Sequence, residues 1–218
     1  MSGWTPVALA ADLPPGTVAG VVLRSEEIVL WRDGAGPPHA WKDRCPHRGM
    51  KLSFGFVRRD RLVCLYHGWE YGADTRCALI PAHPDLDVPE TIRATPWQVA
   101  ETGGLLWVGS RDAGQPPDLP EAMPLRSLFL DAPLDTARTR LRSGGLPGLG
   151  EVDLIGDGPL LRFAQGGHLF AVGGHEIGPA ACALHLTSDG TAAARAALVP
   201  ATAALRREVR AQSRGAAA

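Results

Sequence analysis

The stretch CPHRGMKLSFG, Cys45 to Gly55, sets a thiol and an imidazole two residues apart and follows them with an arginine and a glycine. A counterpart stands downstream: after sixteen residues, 48 to 63, comes Cys64-Leu65-Tyr66-His67. Each segment offers one soft sulfur and one borderline nitrogen, donors that both zinc and iron–sulfur centres accept. Gly49 and Gly68 stand close behind the histidines, where a tight bend brings backbone N–H groups toward whatever the sulfurs bind.

The order Cys-His then Cys-His, with glycines and aromatic residues around it, fits familiar zinc modules poorly. It suits a 2Fe-2S cluster clamped from opposite edges, with Cys45 and Cys64 on one iron and His47 and His67 on the other. Cys77 and Cys182 each lie in an apolar run and read as small buried thiols.

These residues resemble a known family. CPHRG and CLYHGWEY are similar to the two cluster-binding loops of Rieske proteins, specifically the Rieske domain of the ring-hydroxylating and demethylating non-heme iron oxygenases. The likeness continues through KLSFG, RLVCLYHGWEY, CALIP and TGGLLWVG, and covers about half the chain. It implies one 2Fe-2S cluster held by Cys45, His47, Cys64 and His67, with Pro81 opening a proline-containing segment nearby and Trp69 and Tyr71 packed beside the cluster. It also implies an NAD(P)H-dependent flavin or iron–sulfur reductase as electron donor, and an oxygenase subunit as a further partner.

Respiratory Rieske proteins carry an additional cysteine in each loop, and here those positions are Met50 and Tyr66. The hydroxyl residue that donates to a cluster sulfur in that class is replaced by Trp69. Fewer hydrogen bonds to sulfur stabilise the reduced cluster less, so the expected potential lies toward the low end of roughly −150 to +300 mV.

The rest of the sequence sets the frame. The chain has 218 residues, of which 45% are hydrophobic and 21% charged, enough for one larger or two small globular domains. A net charge of −1 gives no overall footprint for nucleic acid or an anionic membrane. The opening MSGWTPVALAADLPPG lacks the basic and long apolar regions of a leader, and no later run approaches a membrane span. The expectation is a cytoplasmic protein with reduced thiols.

All six tryptophans and both tyrosines precede Gly109, where short strand-like runs (TVAGVVL, EIVLWR, RLVCLY, GGLLWVG) alternate with turns. VRRDRL, Val57 to Leu62, reads as a solvated hairpin turn. The Pro-rich segment from Ser110 disfavours regular structure. The expected fold is mainly β: a Rieske-type β-sandwich at 1–109, a linker at 110–135, and at 136–218 a small α+β region of few antiparallel strands and a terminal helix. Leu205 and Val209 share one face of that helix.

The family's catalytic domain holds a mononuclear iron on two histidines and a carboxylate, in a motif absent here: DTARTRLRSGG runs past without a histidine. The second half reads as a shortened remnant of that domain's tail, and mononuclear iron is not expected. His168, His175 and Glu176 supply the ligand types of a facial triad, but seven residues separate the histidines and place them on opposite faces of a straight strand. Their plain reading, and that of His39 and His83, is as loop residues without a motif. The resulting expectation is an oxidoreductase-class protein that passes single electrons from a reductase to an oxygenase or other acceptor. The alternative is an oxygenase component that hydroxylates or oxidatively demethylates a small organic molecule with an atypical or partner-supplied iron.

Overall fold

The computed structural model describes residues 3–34, 36–190 and 192–215. Up to Gly109 the strands in chain order are β1 (Trp4–Leu9), β2 (Val18–Leu23), β3 (Glu26–Arg32), β4 (Pro38–Lys42), β5 (Phe56–Arg58), β6 (Arg61–Val63), β7 (Glu70–Tyr71), β8 (Cys77–Leu79), β9 (Pro96–Thr102) and β10 (Leu105–Gly109). β1-β10-β9-β4-β3-β2 form one antiparallel sheet, and β5-β6-β7-β8 form a second, smaller one.

β3 shows why the two sheets stack. Ile28, Val29, Leu30 and Trp31 are all fully buried, so the run is apolar on both faces. Alternation sends Ile28 and Leu30 to a core with Val7, Leu106 and Val108, and sends Val29 and Trp31 to another with Cys45, Leu52, Leu62, Cys64 and Tyr71. The second core lies directly beneath the paired Cys-His loops. The VRRDRL hairpin is present as β5 and β6, turning through Arg59 and Asp60 at φ of 48° and 58°.

After Gly109, residues 110–122 contain no helix or strand. Then follow β11 (Met123–Leu130), α1 (Leu134–Gly144), β12 (Val152–Asp157), β13 (Leu160–Gln165), β14 (His168–Gly178), β15 (Ala181–Ser188) and α2 (Ala192–Gly215). The strands form an antiparallel sheet in the order β11-β15-β14-β13-β12. Leu205 and Val209 of α2 are buried in a core with Leu128, Leu141, Phe163 and Leu184, so the terminal helix seals that sheet as expected.

One expectation is corrected here. The expected linker 110–135 is structured in its later part: β11 pairs along β15, with Leu128 and Leu130 buried. β11 is an edge strand, where Pro124 is tolerated beside a shift in register. The histidine-free run DTARTRLRSGG falls mostly in α1, a helix additional to the expected terminal one, whose Ala137 and Leu141 are buried four residues apart on one face. Among the described residues no helix is long and apolar enough to cross a membrane.

The two halves meet along β1, β2 and β14. The β2–β3 turn donates Arg24 N–H to Glu176 O at 2.7 Å and Ser25 N–H to Ile177 O at 2.9 Å. Gly173 makes close approach possible, since a Cβ there would lie 2.7 Å from the Pro6 side chain.

Candidate iron–sulfur site

The two loops have the same backbone construction. Cys45 N–H donates to Met50 O at 2.8 Å and Gly49 N–H to Cys45 O at 2.8 Å; Cys64 N–H donates to Trp69 O at 2.9 Å and Gly68 N–H to Cys64 O at 3.0 Å. In each, a glycine four residues after the cysteine turns the chain back in the left-handed region, at φ of 75° for Gly49 and 70° for Gly68. Pro81 packs on the second loop, its Cγ 3.1 Å from the point a Cβ at Gly68 would occupy. Behind the first loop, Gly55 is obligatory, because a Cβ would fall 2.0 Å from Val63 O.

The donors gather as two pairs. Cys45 and Cys64 are buried, and their thiols are near enough to interact with one another. His47 is half-buried and His67 exposed, and their rings lie 4.7 Å apart at 60°. Trp69 stacks on His47 at 4.2 Å and 5°, and the exposed Tyr66 ring lies 3.8 Å from His67. Sulfur thus faces the core and nitrogen faces the surface.

Electrostatics fit this donor set to a cationic cluster. Burial pushes the Cys64 thiol up, and the neighbouring Cys45 pushes it further, so two adjacent thiolates need positive charge between them. Partial desolvation, then His67 and Arg48, hold the His47 imidazolium below its ordinary range, which favours the neutral ring that binds metal. Two thiolates and two imidazoles in this arrangement match the needs of a 2Fe-2S centre.

Tyr71, which the resemblance places beside the cluster, makes a contact that the sequence did not specify. The Tyr71 hydroxyl lies 3.2 Å from Cys45 Sγ, and burial together with that sulfur holds the phenol protonated, so it can donate to a Cys45 thiolate. The signal was in the sequence as CLYHGWEY, but a two-residue strand, β7, is what turns Tyr71 inward.

The remaining histidines are not brought to this site. His168 and His175 stand at positions on β14 that are about 23 Å apart at strand spacing. His175 is buried against His185, whereas Glu176 points outward to Arg24 at 3.2 Å. The three do not form a triad within this chain. The reading of His175 as a loop residue is corrected: it and His185 are buried strand residues at the junction of the two halves. His39 is also a strand residue, stacked on Trp31 at 4.4 Å, while His83 lies in an exposed turn. Cys77 and Cys182 are buried, as expected for core thiols.

A β domain presenting two cysteine–histidine loops over a common core is the arrangement of a Rieske-type domain. Residues 3–91 match the Rieske [2Fe-2S] domain family, so this part of the chain is a Rieske domain. It is 36% identical over 152 residues to the oxidoreductase NdmD of Pseudomonas putida, covering 64% of this chain and 25% of that protein. It is 39% identical over 134 residues to the 4beta-methylsterol monooxygenase of Methylococcus capsulatus, covering 59% of this chain and 35% of the monooxygenase. These matches span a quarter to about a third of the relatives' length. The backbone resembles that of dicamba monooxygenase with a TM-score of 0.77 at 18% identity, over 99% of this chain and 88% of that one.

Proposed function

We propose that this chain is a Rieske 2Fe-2S redox protein that passes single electrons from an NAD(P)H-dependent reductase to an oxygenase or other acceptor. Cys45, His47, Cys64 and His67 hold the cluster in this reading. Bound there, the cluster supplies a one-electron couple.

The observation that carries the reading is the polarity of the donor set: buried thiols at Cys45 and Cys64, and imidazoles at His47 and His67 turned to the surface. The chain's own residues give a partner protein access on the imidazole side and exclude water on the thiol side. Tyr71 at Cys45 and the backbone of Tyr66 and His67 at Cys64 stabilise added negative charge on the sulfur side by hydrogen bonding.

The oxygenase reading has a specific observation behind it as well, because nearly the whole backbone follows a monooxygenase fold. The same experiment separates the two. The anaerobically purified chain is assayed for iron and acid-labile sulfide, then mixed with a reductase, NAD(P)H, oxygen and a panel of small aromatic and N-methylated compounds. Two irons and two sulfides per chain, with reversible bleaching and no product, support the electron carrier. Iron above two per chain, with product that depends on it, supports the oxygenase. Stoichiometric zinc in a colourless protein overturns both.

A further inference from the structure

An open groove of about 440 Å³ lies against the first Cys-His loop, and His47 forms part of its wall. Four of its nine lining residues are cations, namely Lys42, Arg44, Arg48 and Arg93, and none is acidic. All four are exposed, and none forms an ion pair among the described residues.

The groove is built by the fold. Lys42 ends β4, and its N–H donates to Thr95 O at 2.8 Å, which sets the approach to β9 beside it. Arg93, two residues earlier, is oriented by its Nε–H donating to Glu90 O at 3.0 Å. The Arg44 guanidinium lies over Gly49, 3.0 Å from where a Cβ would sit, so the loop glycine also makes room for this charge. The nearest carboxylate in sequence, Asp43, does not neutralise them, because it is buried and accepts from Ser53 N–H at 2.7 Å.

Four uncompensated positive charges on one wall contrast with a net charge of −1 for the whole chain. Such a local field raises the encounter rate of an oppositely charged surface and fixes its orientation. We propose that this groove docks the acidic surface of the protein that exchanges electrons with the cluster, holding the partner's redox centre on the His47 side. The proposal rests on the electron-carrier reading. One electron leaves the reduced partner and enters the oxidised 2Fe-2S centre, or passes the other way to an acceptor, with no bond made or broken. The groove's openness and its place beside a candidate ligand favour a protein surface over a small anion.

The test uses an acidic plant-type 2Fe-2S ferredoxin as probe and titration calorimetry as the readout, at ionic strengths of about 0.02 M and 0.5 M. Three forms are compared: wild type, the Lys42→Glu/Arg93→Glu double variant, and Arg207→Glu/Arg210→Glu on α2, which makes the same change in net charge elsewhere. We expect wild type and the α2 variant to bind alike at low ionic strength, and the groove variant about ten-fold or more weaker. That difference should vanish in high salt. Stopped-flow reduction by the same ferredoxin should slow in parallel at low ionic strength, while reduction by dithionite at about 0.5 M ionic strength, where the field is screened, stays unchanged.

Equal binding by all three forms overturns the proposal, as does absence of binding by wild type. Displacement by phosphate beyond that caused by chloride at matched ionic strength also overturns it, and makes the groove a small-anion site. Iron and sulfide content reports on the cluster separately. A chain that binds ferredoxin through these residues but lacks iron and sulfide keeps the docking surface and overturns the electron-carrier reading.

Discussion

Tyr71 Oη stands 3.2 Å from Cys45 Sγ in a buried setting, with the phenol held protonated by burial and by the sulfur itself. With Cys45 as a thiolate ligand the sulfur carries no proton, and the tyrosine is the donor. A hydrogen bond to a ligand sulfur favours the reduced, more negative cluster. Tyr71→Phe should lower the potential by about 40 mV, the one-electron equivalent of a hydrogen bond of about 1 kcal/mol. Redox titration of the two proteins checks this, and an unchanged potential would remove Tyr71 from the tuning of the site. The same bond places the expected potential above that suggested by Trp69 alone.

Cys45→Ser and Cys64→Ser should each abolish the visible spectrum and bring iron and sulfide below one-tenth of the wild-type content. A hydroxyl is a far poorer ligand than thiolate for iron bound to sulfide. Cys77→Ser and Cys182→Ser, at buried thiols outside the paired loops, should retain the cluster. Full colour in either of the first two variants would reassign the ligand.

Gly55→Ala should destabilise the protein by roughly 2–4 kcal/mol, because the added Cβ meets backbone rather than a flexible side chain. The contact would be 2.0 Å from Val63 O, one residue before Cys64. Chemical denaturation measures the loss, and iron content measures the accompanying damage to the site. A variant as stable as wild type would show that β5 and β6 can separate at little cost.

The two halves should come under strain in acid. His175 and His185 stack at 5.3 Å, and burial lowers their pKa to about 4 and about 3 from 6.5. His175 faces Pro6 O and His185, and His185 also faces Ser127, which donates to Asp12. The folded state keeps both rings neutral, so below pH 6.5 the unfolded chain binds more protons and stability falls with falling pH. The loss levels off beneath about pH 3 and amounts to about 3 kcal/mol for His175. Denaturation at a series of pH values should show this slope, and His185→Gln should flatten it. A slope of the same size in that variant would place the acid sensitivity in other groups.

The two Cys-His loops, the strand-rich first half and the sealing face of α2 were legible in sequence for a local reason. Cys45-Pro46-His47 and Cys64-Leu65-Tyr66-His67 are short, with glycines that close each turn by bonds among near neighbours. Leu205 and Val209 follow helical periodicity, and the β5–β6 hairpin turns on adjacent residues. Such features depend on backbone sterics and spacing, which a sequence displays directly. What only tertiary structure decided joins residues far apart in the chain. β11 became a strand because β15 offered it an edge and a core, despite Pro124. His175 was drawn inside by Pro6 and His185, and Tyr71 found Cys45 across 26 residues. The cations of the groove look scattered in a chain of net charge −1, yet β4, the first loop and the approach to β9 gather them on one wall. Burial and local field follow from distance in space, and the folded sheets set those distances.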